Sequence, residues 1–332
     1  MANQGWCLLR RPTGYFQDGD IALRELPMPQ PEAGQLRIRT VYLSIDPAYR
    51  VWANDVVLYL PALQIGETLR GSIIGVVEES YHPDFVPGDI VTGVLRIQKY
   101  LLSDGTDIMK VPPALPLRSY FALYGHIGTT AYFGLEIVHP KAGETLVVSS
   151  AAGGVGSLAG QMAKIYGCHV VGIAGTDDRC HWIVDELGFD AAINYRTQNV
   201  DQGLRETCPD GIDVYFDNVG GAILDSVCCQ LNIGARIALC GMLTDYNSDR
   251  PAGVYNLFEL ILKRASAHGF LVTDYLPRYL EAFAQIKAWE TANKIRYRLT
   301  VLDGIEHLPQ ALEGIFTSRY LGKVVIQVAP EP

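Results

Sequence analysis

Apolar and polar positions alternate through the first third of the chain. In QLRIRTVYLSID (35–46) the alternation runs around Leu36, Ile38 and Val41, which predicts a strand with one buried face. GSIIGVVEES (71–80) and DIVTGV (89–94) are short β-branched runs bounded by Gly and Pro, and they predict two more strands. No helical period is visible before roughly residue 119. Near Tyr120 the pattern changes. ETLVVSS (144–150) is a continuous apolar run, as a strand buried on both faces requires. From Ser157 to Tyr166 the residues Leu158, Met162 and Ile165 fall on one helical face. CHVVGIAG (168–175) predicts the next strand. Cys180, Ile183, Val184 and Leu187 then return to helical spacing, and Gly188 predicts the helix end. AAINY (191–195), DVYFD (213–217), RIALCG (236–241) and GFLV (269–272) extend the series of strands.

This strand–helix rhythm predicts an α/β fold with a doubly wound parallel sheet covered by helices. GKVVIQVA (322–329) is a closing strand with no helix after it. A β-rich start, a doubly wound middle and a final strand predict a tail that rejoins the first domain.

The strongest local signal is VVSSAAGGVGSLAGQMAK (147–164), a strand that runs into a glycine-rich turn and opens a helix. Ala151, Gly153 and Gly156 take the three positions of the dinucleotide fingerprint. Gly153 lets backbone approach a pyrophosphate, and Gly156 lets the helix pack close to the strand. The helix N-terminus then offers N–H groups and partial positive charge to phosphate. An NAD site places an acid at the tip of the second strand to bind the ribose 2′-hydroxyl. Here that strand ends Ile173, Ala174, Gly175, Thr176. Asp177 and Asp178 come only in the next helical turn, where cap and dipole roles also suit them. Arg179 follows and can pair with a 2′-phosphate. These residues favour NADPH.

Composition removes other classes. With 48% hydrophobic and 19% charged residues, the 332-residue chain can bury ordinary cores in two domains. A formal charge of −9 argues against nucleic acid and anionic membrane as partners. No segment reads as a transmembrane helix or signal peptide, so a cytoplasmic protein is expected. The seven cysteines are scattered and form no CxxC pair, which predicts reduced thiols and no metal cluster. Gly125-His126 is followed by Ile127 rather than an acidic ligand, so His126 is expected to be a packing or surface residue. GxSxG is absent.

The chain resembles the medium-chain dehydrogenase/reductase superfamily. It is most similar to the zinc-lacking branch of prostaglandin/leukotriene reductases, plant alkenal double-bond reductases and bacterial curcumin reductases. VYLSIDPAYR (41–50), VPGDIVTG (86–93), GHIGTTAYFGL (125–135), AGETLVVSSAAGGVGS (142–157), GIDVYFDNVGG (211–221), ARIALCGMLTDYN (235–247) and LGKVVI (321–326) carry the resemblance. It implies a GroES-like catalytic domain at 1–122 and 293–332, and a Rossmann NADP-binding domain at 123–292. The family's homodimer is implied too. So are pyrophosphate contacts from Gly153, Gly154, Val155, Gly156 and Ser157, and a 2′-phosphate end at Thr176, Arg179 and Tyr195. Asn218, Cys240, Gly241 and Tyr246 would line the nicotinamide side, which Thr130, Phe270, Leu271 and Val272 approach. Ala48 stands where the family often has a pocket tyrosine, and Tyr320, counted among the expected cofactor contacts, where it often has a cofactor-binding asparagine.

The activity implied is NADPH-dependent reduction of the C=C bond of α,β-unsaturated aldehydes and ketones, with hydride to the β-carbon and a proton to the α-carbon. Enolate charge on the carbonyl oxygen then needs a hydrogen-bond donor, and tyrosine supplies a neutral one. Tyr246, Tyr59 and Tyr49 are the candidates, with Arg50 and Tyr59 expected at the substrate. Quinone reduction, enoyl-thioester reduction and NADPH binding without turnover remain as alternatives.

Overall fold

A computed structural model describes residues 2–56, 59–248 and 250–332. The chain divides into two compact units, residues 1–120, 300–320 and 324–332, and residues 121–299 with 321–323.

The first unit begins with a two-stranded antiparallel ladder, β1 (Asn3–Leu8) and β2 (Ile21–Leu26). Then come β3 (Leu36–Ser44), a short helix α1 (Ala48–Trp52), β4 (Arg70–Ser80), β5 (Ile90–Arg96), β6 (Tyr100–Ser103) and β7 (Ile108–Lys110). The strands at 35–46, 71–80 and 89–94 therefore form as expected. Helix α1 does not match the expectation of no helix before residue 119. Its five residues are too few to show a period, and Pro47 ahead of it fixes the first turn.

The chain passes into the second unit within α2 (Leu117–Leu123). After α3 (Gly125–Val138) come β8 (Thr145–Ser149), α4 (Gly154–Ile165), β9 (His169–Ala174), α5 (Asp177–His181), β10 (Ala191–Asn194) and α6 (Val200–Thr207). These are followed by β11 (Ile212–Asp217), α7 (Gly221–Cys228), β12 (Leu231–Leu239), α8 (Phe258–Lys263), β13 (Ser266–Gly269) and α9 (Tyr279–Thr291). The strands pair in parallel in the order β10-β9-β8-β11-β12-β13. The order reverses between β8 and β11, the switch point at which open α/β sheets bind ligands. Its core includes Val147, Val171, Ile173, Ile193, Tyr215 and Ile237.

Two boundaries differ from the sequence expectation. GFLV (269–272) is not a strand: β13 is Ser266–Gly269, and the chain leaves the sheet at Phe270. The helix expected around Cys180 to Leu187 continues α5 only through a π-turn at Trp182–Glu186, before Gly188 ends it with φ +75°.

The tail supplies β14 (Leu299–Asp303), α10 (Leu308–Phe316) and β15 (Lys323–Gln327). Strand β15 pairs antiparallel with β3 through Tyr42–Ser44, so the tail completes a seven-stranded sheet of the first unit. Leu308, Leu312 and Ile326 join Leu36, Ile38 and Ile73 in one core.

Candidate functional site

Because all six strands of the second unit run the same way, their carboxyl ends share one edge. The glycine loop after β8 lies there, as do Thr176 and Arg179 after β9, Tyr195 after β10, Asn218 after β11 and Cys240 to Tyr246 after β12. Phe270 to Val272 leave β13 at the same edge.

The glycine loop is built as a phosphate cradle. Ser150 takes φ +50° as the chain leaves β8, and its carbonyl accepts the Gly153 N–H at 2.9 Å. Gly153 caps α4 in an extended conformation. A Cβ on Gly156 would stand 2.4 Å from the Ser150 carbonyl oxygen, so only glycine lets α4 start this close to β8. Gly154, Val155 and Gly156 form the first turn of α4, where N–H groups lack intrahelical acceptors. Ser157 turns its hydroxyl onto the Gly154 carbonyl at 3.2 Å.

At the tips of β9 and β10 the structure gathers positive charge. Thr176 caps α5, its Oγ1 accepting the Arg179 N–H at 3.4 Å. The Tyr195 ring lies 3.0 Å from where a Cβ on Gly175 would stand, and the Arg196 guanidinium sits 5.9 Å over that ring. Burial pulls the Arg179 guanidinium pKa down; the neighbouring Tyr195 opposes this, and the Arg196 cation adds to it. Arg179 is half-buried and Arg196 exposed, and two guanidinium groups near one another favour an anion beside them. Asp177 Oδ1 accepts the Asn194 side-chain N–H at 2.7 Å. Asn194 Oδ1 in turn accepts the Arg196 N–H at 3.1 Å. Arg196 and Asn194, the neighbours of Tyr195 on either side, were not among the residues expected at the 2′-phosphate end. The signal was the cation next to Tyr195 in NYR.

Around β11 and β12, Asn218 is buried, and its Nδ2 donates to the Ser149 carbonyl at 2.7 Å. Cys240 and Gly241 both donate their N–H to the Asp217 carbonyl, at 2.8 and 3.1 Å. Burial, with the nearby Asp217 carboxylate, pushes the Cys240 thiol pKa up to about 12, so the thiol stays protonated. Tyr246 is half-buried; its Oη accepts the Met242 N–H at 3.4 Å and faces Gly241. Phe270 packs on Gly134 of α3, where a Cβ would come within 2.7 Å of its ring. Thr130 lies one turn earlier on the same helix and donates its hydroxyl to the His126 carbonyl. Leu271 is exposed and Val272 half-buried.

The first unit revises three candidates. Tyr49 is fully buried: its hydroxyl donates to the Ser44 carbonyl at 2.5 Å and accepts the Ser72 N–H at 2.9 Å. Burial holds its phenol well above the usual range, and Gly71 is needed because a Cβ there would stand 2.6 Å from that hydroxyl. Tyr49 is thus a core residue with no proton to offer. Arg50, expected at the substrate, is also buried. Its guanidinium donates to the Gly14 and Pro12 carbonyls and to Asn54 Oδ1, pinning the 12–14 loop to α1. Tyr320 packs its ring over Gly314 of α10, within 2.1 Å of where a Cβ would be. Its ring therefore serves the first unit's packing.

Tyr59 is different. Its ring is 46% exposed, and its hydroxyl accepts the Trp52 indole N–H at 2.7 Å. Trp52 stacks on Tyr49 at 5.5 Å and meets Tyr59 edge-on at 6.2 Å. Trp52 is a further residue the sequence reading passed over. Among the described residues, no group of three or more His, Cys, Asp or Glu is disposed to hold a metal ion.

Residues 4–111 match the family model described as the N-terminal domain of oxidoreductase, and residues 154–288 match the one described as zinc-binding dehydrogenase. The chain is 39% identical to the NADPH-dependent curcumin reductase of Escherichia coli (strain K12), over 98% of this chain and 97% of that protein. It is 38% identical to the 2-alkenal reductase (NADP(+)-dependent) of Nicotiana tabacum, over 100% and 99%. The crystal structure of CurA in complex with NADPH from Vibrio vulnificus matches with a TM-score of 0.92 at 37% identity, covering 99% of this chain and 100% of that one. With full-length likeness at this level, and a glycine cradle and cation cluster that fit an NADP nucleotide, the chain belongs to the zinc-independent reductase branch of the medium-chain dehydrogenase/reductase superfamily.

Proposed function

We propose that the protein is an NADPH-dependent reductase of the C=C bond of α,β-unsaturated aldehydes and ketones. The cofactor half rests on one observation above all, the Arg179–Arg196 pair at the β9 and β10 tips with Asp177 taken up by Asn194. The substrate half rests on the full-length likeness to proteins named curcumin reductase and 2-alkenal reductase.

In this reading the α4 N-terminus and glycine loop bind the pyrophosphate, and Arg179, Arg196 and Tyr195 bind the 2′-phosphate. Asn218, Cys240 to Gly241, Thr130 and Phe270 to Val272 form the nicotinamide side. Bound NADPH supplies the hydride, which the substrate takes at its β-carbon. Tyr246 donates a hydrogen bond to the carbonyl oxygen, where enolate charge develops. Tyr59 is the second candidate, as proton donor to the α-carbon. Its oxygen already accepts from Trp52, which polarises the O–H and makes it a better donor.

A homodimer is also proposed. Tyr255, Phe258, Ile261 and Leu280 stand between 64% and 85% exposed on the second unit, the first three in the segment that leads into the outermost strand β13. Apolar residues this exposed, beside an open strand edge, suit burial against a second copy.

The test is NADPH oxidation with 2-alkenals, aryl enones, curcumin-like diketones, enoyl thioesters and quinones, with product identification. Saturated aldehydes and ketones are the expected products. Turnover confined to quinones or thioesters would transfer the assignment to those reductases. Tight NADPH binding with no turnover on any of them would leave a non-catalytic nucleotide binder. Tyr246→Phe should lower kcat more than it weakens NADPH binding, and an unchanged kcat removes Tyr246 from the chemistry.

A further inference from the structure

Asp217 ends β11 with its side chain wholly buried. Its Oδ1 accepts four hydrogen bonds, from Ser149 Oγ at 2.9 Å, Tyr215 Oη at 2.8 Å, the Val219 N–H at 2.9 Å and the Gly220 N–H at 3.0 Å. Its backbone carbonyl takes the N–H groups of Cys240 and Gly241. One residue thus ties together the ends of β8, β11 and β12, on both sides of the switch point. Ser149 extends the knot. Its Oγ accepts the Asn218 N–H at 2.8 Å, and its carbonyl accepts Asn218 Nδ2.

The other carboxylate oxygen, Oδ2, has no hydrogen-bond partner among the described residues. A buried carboxylate left half-satisfied costs stability. Burial pushes its pKa up, against the donors on Oδ1. Packing alone gives no reason to keep an acid here, since a neutral side chain would avoid that cost. What the acid provides is the strongest acceptor for four donors, of which the Val219 and Gly220 N–H groups fix the backbone directly and Ser149 fixes Asn218 in turn.

We infer that Asp217 is a positioning residue that presets the nicotinamide side of the cofactor cradle, by fixing Asn218 and the Cys240–Gly241 turn before the nucleotide binds. Preformed geometry lowers the ordering cost of binding. The inference rests on the placement of the nicotinamide end proposed above. It assigns no step of the reaction to Asp217 itself.

The test separates the two ends of the cofactor by calorimetric titration with NADPH and with adenosine 2′,5′-bisphosphate, which lacks the nicotinamide half. Asp217→Ala should weaken NADPH by about tenfold and leave the bisphosphate within about twofold. Asp217→Asn, which keeps an acceptor at Oδ1, should stay within about threefold of the parent for NADPH. Equal weakening of both ligands, or of neither, would overturn the inference. Should Asp217→Ala not fold, Ser149→Ala cuts the link from Asp217 to Asn218. It must show the same split at about threefold, and an equal loss on both ligands again overturns it. Asn218→Ala distinguishes the two levels. If it leaves NADPH binding unchanged, the placement is wrong and the inference falls with it. If it weakens NADPH while Asp217→Ala and Ser149→Ala do not, the inference alone falls.

Discussion

In the proposed reading, Arg179 and Arg196 choose between two cofactors that differ by one phosphate. Burial lowers the Arg179 pKa and the Arg196 cation adds to it, and in that reading a 2′-phosphate relieves this. Arg196→Ala should therefore lower the ratio of kcat/KM for NADPH over NADH by about tenfold, with little change in the NADH value. An unchanged ratio would remove Arg196 from the 2′-phosphate end. Tyr59 carries a prediction in pH. Burial raises its pKa; the Trp52 hydrogen bond lowers it, and the Asp46 charge raises it, leaving it above the ordinary phenol value. The proton-donating form therefore persists until pH rises through that raised pKa. The Tyr59-dependent part of kcat should be flat up to about pH 10, and a fall between about pH 7 and 9 would exclude Tyr59 as the donor. Motifs made residue types legible at this scale but not where each side chain points. Tyr49 and Arg50 both lie in DPAYR, yet the backbone of their own unit takes up the hydroxyl of one and the guanidinium of the other. At the tip of β10 the family resemblance points to Tyr195 alone, and Arg196 shows itself only through its cation over that ring.

The strand–loop–helix unit β8–α4 depends on a close approach that only glycine allows. Gly156→Ala should destabilise the second unit by about 1–3 kcal/mol, because the methyl meets the Ser150 carbonyl. Thermal melts with and without NADPH should show that added cofactor recovers less of the loss than it does for the parent. A second joint sits at the opposite edge of the sheet. Arg236 of β12 donates to the Val138 and His139 carbonyls at the end of α3 and pairs with Glu144 at 2.6 Å. Arg236→Ala should cost about 2 kcal/mol in a denaturant titration. Burial raises the Glu144 pKa, but hydrogen bonds from Arg236 and the Lys141 N–H outweigh it, and the net shift is downward. A depressed acid stabilises the fold above its unfolded pKa and ceases to do so as pH falls through the folded value. The difference between parent and Arg236→Ala should therefore shrink in acid, below about pH 4. Buried strands were legible as continuous apolar runs. GFLV misled because Phe270 is apolar for its contact with Gly134, not for a place in the sheet.

For the whole molecule, the order of the parallel sheet was legible only as a rhythm of strands and helices, whereas the return of the tail to the first sheet was foreseen from its final strand. The exposed group at Tyr255, Phe258 and Ile261 could not be seen in advance, since apolar residues at helical spacing read equally as core. If that face joins two copies, Ile261→Asp should shift the protein from dimer to monomer in sedimentation velocity. A monomeric parent, or an undisturbed dimer in the variant, would place the contact elsewhere or abolish it. The central claim is that hydride passes from NADPH to the β-carbon of an activated alkene. NADPH carrying deuterium on the transferred face of its nicotinamide, turned over with an aryl enone, tests it most directly. The account predicts a saturated ketone with deuterium at the β-carbon only, whereas an allylic alcohol labelled at the carbonyl carbon, or no label transfer at all, would contradict it.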